Sequence, residues 1–104
     1  MIIKRSETYI KWFEKLKDQR AKARITKRLL RIENDGNLGD THSVGGGVSE
    51  IRIDYGPGYR LYYTIRKNEV LFLLLGADKN SQQEDIAKAK AMVKDLNKKN
   101  GEKR

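Results

Sequence analysis

The stretch VSEIRIDYGPGYRLYYTI, residues 48–65, alternates apolar and polar side chains on both sides of a turn bracketed by glycines. Successive side chains of a strand point to opposite faces, so Ile51, Ile53 and Tyr55 share one face while Glu50, Arg52 and Asp54 share the other. Beyond the turn, Leu61, Tyr63 and Ile65 stand against Arg60, Tyr62, Thr64 and Arg66. Gly56 and Gly58 can take the positive φ values that a tight reversal needs. The pattern predicts a β-hairpin with one face committed to a core. The other face carries charge, hydroxyl and guanidinium.

Working outward, VLFLLLGA (70–77) loses the alternation, as a central strand covered on both faces does. After it, Ser81 and Glu84 form a capping box, and Ile86, Ala89, Val93 and Leu96 make the buried stripe of a helix. On the other side of the hairpin, DGNLGDTHSVGGG (35–47) has no periodic signal and reads as a loop. Upstream, Tyr9, Trp12, Phe13 and Leu16 recur at helical spacing behind a capping Ser6. Ile25, Leu29 and Ile32 do the same in a second helix that Gly36 stops, and MIIKR at the start is a possible short strand. The expected order is β-α-α-β-β-β-α. This is an α+β sandwich with the helices, the two-helix hairpin among them, packed on one face of a mostly antiparallel sheet. One domain is expected over residues 1–98, with 99–104 a frayed tail.

The chain has 104 residues, enough for one core. Its 23 Lys and Arg against 14 Asp and Glu leave a net charge of +9, which favours a polyanionic partner. Nucleic acid comes first, ahead of an acidic protein or an anionic membrane surface. Without cysteine, neither disulfides nor thiolate metal sites can form, which suits a reducing cytosol. The N-terminal residues do not resemble a signal peptide, and the longest apolar run is too short to cross a bilayer. A soluble, intracellular protein is expected.

Three groups of residues have the chemistry to do work. On the polar hairpin face, Arg52, Arg60 and Arg66 suit phosphate oxygens and Tyr62 suits a base, although such a face can also be merely solvated. In the second helix Arg20, Lys22, Arg24, Lys27, Arg28 and Arg31 have no acid among them, as a nucleic-acid arm or an ordinary solvated face would. At the junction GADKNSQQEDI (76–86), Lys79 could offset the charge of a pentacoordinate phosphorane, or Asp78 could be a cap and Lys79 a surface lysine. His42 is the one histidine, so paired-histidine catalysis is excluded. Its glycine-rich surroundings suggest an incidental surface residue rather than a base or acid. No metal-ligand spacing, nucleophile elbow or phosphate-binding P-loop occurs, and Trp12 and Phe13 belong to the core stripe.

The pieces GNLGD (36–40), GVSEIRI (47–53), GPGYR (56–60) and the spaced set Asp78, Lys79, Gln82, Asp85, Ile86 and Ala89 resemble the RelE/ParE toxin superfamily. The branch they resemble is the HigB-like one, the addiction module killer proteins. The resemblance implies a RelE-like fold and a toxin of a type II toxin-antitoxin module, partnered by a small helix-turn-helix antitoxin. Most RelE and HigB relatives cleave mRNA in the ribosomal A site, whereas ParE relatives inhibit DNA gyrase. It also implies a cytoplasmic, metal-independent and cofactor-free endoribonuclease. In such an enzyme the RNA 2′-hydroxyl attacks the adjacent phosphorus, with Arg52 and Arg60 on the non-bridging oxygens, Lys79 stabilising the developing charge or supplying a proton, and Tyr62 in support. A gyrase inhibitor and a non-catalytic, antitoxin-binding remnant are the alternatives.

Overall fold

The computed structural model describes residues 1–101, with Lys79, Asn100 and Gly101 described by backbone alone. Short strand β1 (Ile2–Arg5) leads into α1 (Glu7–Lys15), opened by the Ser6 hydroxyl, which accepts from the Tyr9 amide at 3.0 Å. Helix α2 (Gln19–Asp35) is opened by Asp18, whose Oδ1 accepts from the Arg20 and Ala21 amides, and it ends on Gly36 at φ +74°. These caps satisfy amides and carbonyls that a helix end otherwise leaves unpaired.

Four strands follow: β2 (Thr41–Gly45), β3 (Val48–Ile53), β4 (Tyr59–Arg66) and β5 (Val70–Asp78). A single 3-10 turn, Lys79–Ser81, then passes into α3 (Gln82–Gly101). The sheet order is β1-β5-β4-β3-β2, with β1 parallel to β5 and every other pair antiparallel. The α+β class and the mostly antiparallel sheet agree with the sequence.

Three details differ from expectation. Residues 41–45 are a strand, not a loop. They form an edge that bonds to β3 alone and buries none of its side chains, so no apolar alternation marks it. The hairpin joining β2 to β3 turns through Gly45, Gly46 and Gly47, all at positive φ, and the stem of Lys90 lies against the first two. Helix α3 does not join the other helices on their face of the sheet. Helices α1 and α2 close over Ile51, Ile53, Leu61, Tyr63, Leu71 and Leu73, whereas Ala89 and Val93 of α3 close over Val48, Tyr62, Leu74, Leu75 and Ala77 on the opposite face. A register shift between Tyr62 and Tyr63 inserts Leu74 into β5, so that central strand feeds both cores. Finally, Asp78 rather than Ser81 caps the strand-to-helix junction, accepting from the Asn80 amide, while the Ser81 hydroxyl donates to Asp85.

Helix α3 is regular through Gly101, past the expected start of the tail at 99; residues 102–104 lie outside the described ones. No helix among the described residues is long and apolar enough to cross a membrane.

Gly76 shows how closely α1 sits on the sheet. A Cβ at this position would overlap the Trp12 ring, which is part of a rigid aromatic group with Tyr9, Phe13 and Tyr59. Gly76→Ala is therefore expected to lose about 1–3 kcal/mol of stability through overpacking, read as a lower urea midpoint. A midpoint equal to that of the wild type would mean that Trp12 is free to move off the strand.

Candidate nucleic-acid interface

The β3–β4 register sets Arg52 directly opposite Arg60 and Glu50 directly opposite Tyr62. Residues two apart on a strand share a face, so all four side chains gather on the face under the start of α3. Glu50 is only 1 % exposed. Its Oε1 accepts from Arg52 Nε at 2.8 Å, its Oε2 lies 3.6 Å from Arg60 Nε, and Gln82 Nε2 donates to Oε2 at 3.3 Å. One buried carboxylate thus holds two guanidinium groups side by side and ties them to α3.

The two arginines are held but not saturated. The Arg52 side chain is 44 % exposed, and Arg60, at 18 %, keeps Nε and Nη1 buried without a hydrogen-bond partner among the described residues. Buried donors of a charged group are rarely left unpaired, because their lost hydration is not repaid. Two forked cations around a cleft of about 240 Å³, lined also by Asp40, Asp54 and Tyr59, match the oxygens of a phosphodiester.

Tyr62 has a different place from the one its strand position suggested. It is fully buried beneath α3, as Thr64 nearly is, so the polar hairpin face is open only at its Arg52–Arg60 end and Tyr62 cannot stack on a base. Its hydroxyl has no hydrogen-bond partner among the described residues, and burial, reinforced by the Glu50 charge, pushes its pKa up to about 12. Tyr9, also buried and unpartnered, is pushed up to about 12 by burial. Both are neutral in either state below pH 10. As pH rises the unfolded chain ionises first, so stability is lost between about pH 10 and 12, by roughly 2–3 kcal/mol per tyrosine. Denaturant unfolding across that range should show the loss, and Tyr9→Phe or Tyr62→Phe should each reduce it. An unchanged slope in both variants would contradict the assignment.

On α2, Arg20, Arg24 and Lys27 line one shallow cleft, and Arg24, Lys27, Arg28 and Arg31 line the next together with Ile53 and Asp54. Ile53 and Asp54 also line the arginine cleft, so the basic face runs round the open end of the β3–β4 hairpin into it. Arg28 is the joint: Nη2 donates to the Arg52 carbonyl at 3.1 Å and Nη1 to the Leu38 carbonyl at 3.4 Å. Burial, and then the neighbouring Arg31 charge, lowers its pKa. Arg24 lies over the Tyr55 ring at 4.6 Å. Two of the residues grouped with these by sequence lie elsewhere. Lys22 turns to α1, over the Phe13 ring and toward the Glu14 carbonyl, and Arg66 sits at the far end of β4, where Nη1 donates to Asn97 Oδ1 of α3. The Lys79 side chain lies outside the described residues; its backbone opens the 3-10 turn after β5. Among the described residues no three His, Cys, Asp or Glu side chains converge as metal ligands would.

Glu50 and Gln82 were not singled out from the sequence as site residues. The available signal was an acid two residues before Arg52 on the polar face; nothing local links it to Gln82, 32 positions away.

A five-stranded mixed sheet with helices on both faces and paired arginines at one open end places this chain among the small α+β proteins of RelE fold. A double arginine-to-alanine mutant of the E. coli toxin RelE in the free state superposes with a TM-score of 0.65 at 21 % identity, covering 85 % of this chain and 92 % of that one. The toxin of the intact E. coli RelBE toxin-antitoxin complex gives 0.62 at 17 %, over 76 % and 96 %. The chain belongs to the family described as phage derived protein Gp49-like (DUF891), whose sequence profile matches residues 11–98. An uncharacterised Haemophilus influenzae protein is 44 % identical over 94 residues, which is 90 % of this chain and 94 % of the relative.

Proposed function

We propose that this protein is the toxin of a type II toxin-antitoxin module, of the HigB-like kind, acting in the cytoplasm as a ribosome-dependent mRNA endonuclease. The observation that carries the reading is the Glu50-anchored pair Arg52 and Arg60, with unpartnered guanidinium donors, at the end of a basic track along Arg20, Arg24, Lys27, Arg28 and Arg31. Phosphates of a single strand lie along α2, and one phosphodiester sits between the two arginines. The 2′-hydroxyl of the substrate attacks that phosphorus, and the fixed guanidinium groups bind the non-bridging oxygens more tightly as charge accumulates on them. The nucleophile belongs to the RNA, so the protein's work is alignment, charge stabilisation and proton transfer, and no resident metal or cofactor is invoked. Lys79, at the neighbouring junction, adds positive charge, and Tyr62 packs opposite Glu50 in the strand register. An antitoxin covering the basic track accounts for how such a surface is tolerated, and the RelBE complex is the structural precedent for a toxin of this fold held by its antitoxin.

The test is induced expression in a bacterial host of wild type, Arg52→Ala and Lys79→Ala, with primer extension on a translated reporter mRNA and plasmid supercoiling from the same cells. Codon-phased cuts that disappear in the variants are expected. Growth arrest with intact mRNA and altered supercoiling would move the protein to the gyrase inhibitors, and no arrest would leave a binding remnant.

A further inference from the structure

The two arginines supply charge but no base for a 2′-hydroxyl, and Glu50 is engaged with both guanidinium groups. The rim of their cleft has one. Asp40 and His42 stand two residues apart where the chain enters edge strand β2, and His42 Nε2 lies 2.8 Å from Asp40 Oδ1. An ionised carboxylate only accepts, so in the neutral imidazole the hydrogen sits on Nε2 and the lone pair on Nδ1. His42 is opposite Glu50 in the β2–β3 register, and Glu50 opposite Tyr62 in the next, which sets the imidazole in the cross-strand row of the carboxylate that holds both arginines. Asp40 lines the same cleft as Arg52 and Arg60, and its carbonyl accepts from the Arg52 amide at 3.0 Å. The His42 side chain is 48 % exposed, so its ring is open to solvent on the side away from Asp40. An exposed ion pair contributes about 0–1 kcal/mol or less to stability, so fold stability gives little reason for this placement.

We propose that His42, oriented by Asp40, is the proton-transfer residue of the cleavage. The assignment rests on the endonuclease reading and deepens it. His42 Nδ1 takes the proton of the 2′-hydroxyl as the O2′–P bond forms. The P–O5′ bond breaks, and the proton returns through solvent to the departing 5′-oxygen. The products are a 2′,3′-cyclic phosphate and a 5′-hydroxyl, with no net gain or loss of protons. Asp40 is the positioning residue, fixing tautomer and ring direction. The charged groups of the surrounding elements are Asp40, which bonds the imidazole, Glu50, opposite His42 in the strand register, Arg52 and Arg60, which Glu50 holds, and Lys90 of α3 against the Gly45–Gly46 turn.

The experiment uses the full chain on ribosomes translating a reporter mRNA, in single turnover across pH. His42→Gln is expected to cut at least about 100-fold more slowly, with an unchanged thermal midpoint and an altered pH–rate profile. Asp40→Asn should lose about tenfold or more through the wrong tautomer. Added imidazole should restore part of the activity to His42→Ala and none to Arg52→Ala. Wild-type rate and pH profile in His42→Gln would overturn the assignment while leaving the endonuclease standing. A wild-type protein that cuts no mRNA would overturn both.

Discussion

Arg60→Met is expected to leave the urea midpoint unchanged or higher while lowering mRNA cleavage about 10²–10³-fold, the scale seen when a preorganised oxyanion donor is removed. The two effects separate because of how Arg60 is held. Its guanidinium is largely covered, its Nε and Nη1 have no hydrogen-bond partner among the described residues, and its Nε lies 3.6 Å from Glu50, beyond good bonding distance. Methionine keeps an unbranched stem in the same space and removes the unsatisfied donors, and Glu50 retains Arg52 Nε at 2.8 Å and Gln82. A purely structural arginine would give the reverse pattern, with stability lost and activity following it. Urea unfolding beside single-turnover cleavage reads both. Undiminished cleavage in Arg60→Met would remove Arg60 from the phosphate site.

Glu50→Ala should be the most destabilising single change at the site, by about 3–5 kcal/mol, because it strands a covered guanidinium without a counter-charge. That is a large part of the roughly 5–15 kcal/mol by which domains are stable. Glu50 is a fully covered acid, bonded to Arg52 and Gln82 and close to Arg60, so its loss opens a polar hole where β3, β4 and α3 meet. Glu50→Gln keeps the shape and one acceptor oxygen and should cost less. Adding Arg60→Met to Glu50→Ala should recover part of the loss, since the residues are coupled. Equal midpoints for the single and double variants would show that the carboxylate does not stabilise Arg60 at all.

The site was legible where it depends on neighbours in sequence. The Gly56–Gly58 turn and strict alternation were enough to pair Arg52 with Arg60 on one face. The run of cations on α2 was equally plain, but not that Lys22 departs toward α1 or that Arg28 bonds to the Arg52 carbonyl. Glu50 looked like one more solvated acid because its α3 partner Gln82 is 32 positions away, and His42 like a loop histidine because its edge strand buries no side chain and so carries no apolar alternation.

By itself the sequence determined the helices, the cap at Ser6 and the stop at Gly36, the long hairpin, the central character of β5 and the basic character of the surface. All of these follow from periodicity, capping chemistry or charge within a few residues. Only the tertiary structure decided that residues 41–45 form an edge strand, that α3 lies on the face opposite α1 and α2, and that Tyr62 is sealed under it while Arg52, Arg60 and Asp40 stay at the open end, with His42 bonded to Asp40. An apolar stripe states that a helix must bury one side. It does not state against which face of the sheet, because that choice is made by total packing and by chain connections that no local window contains.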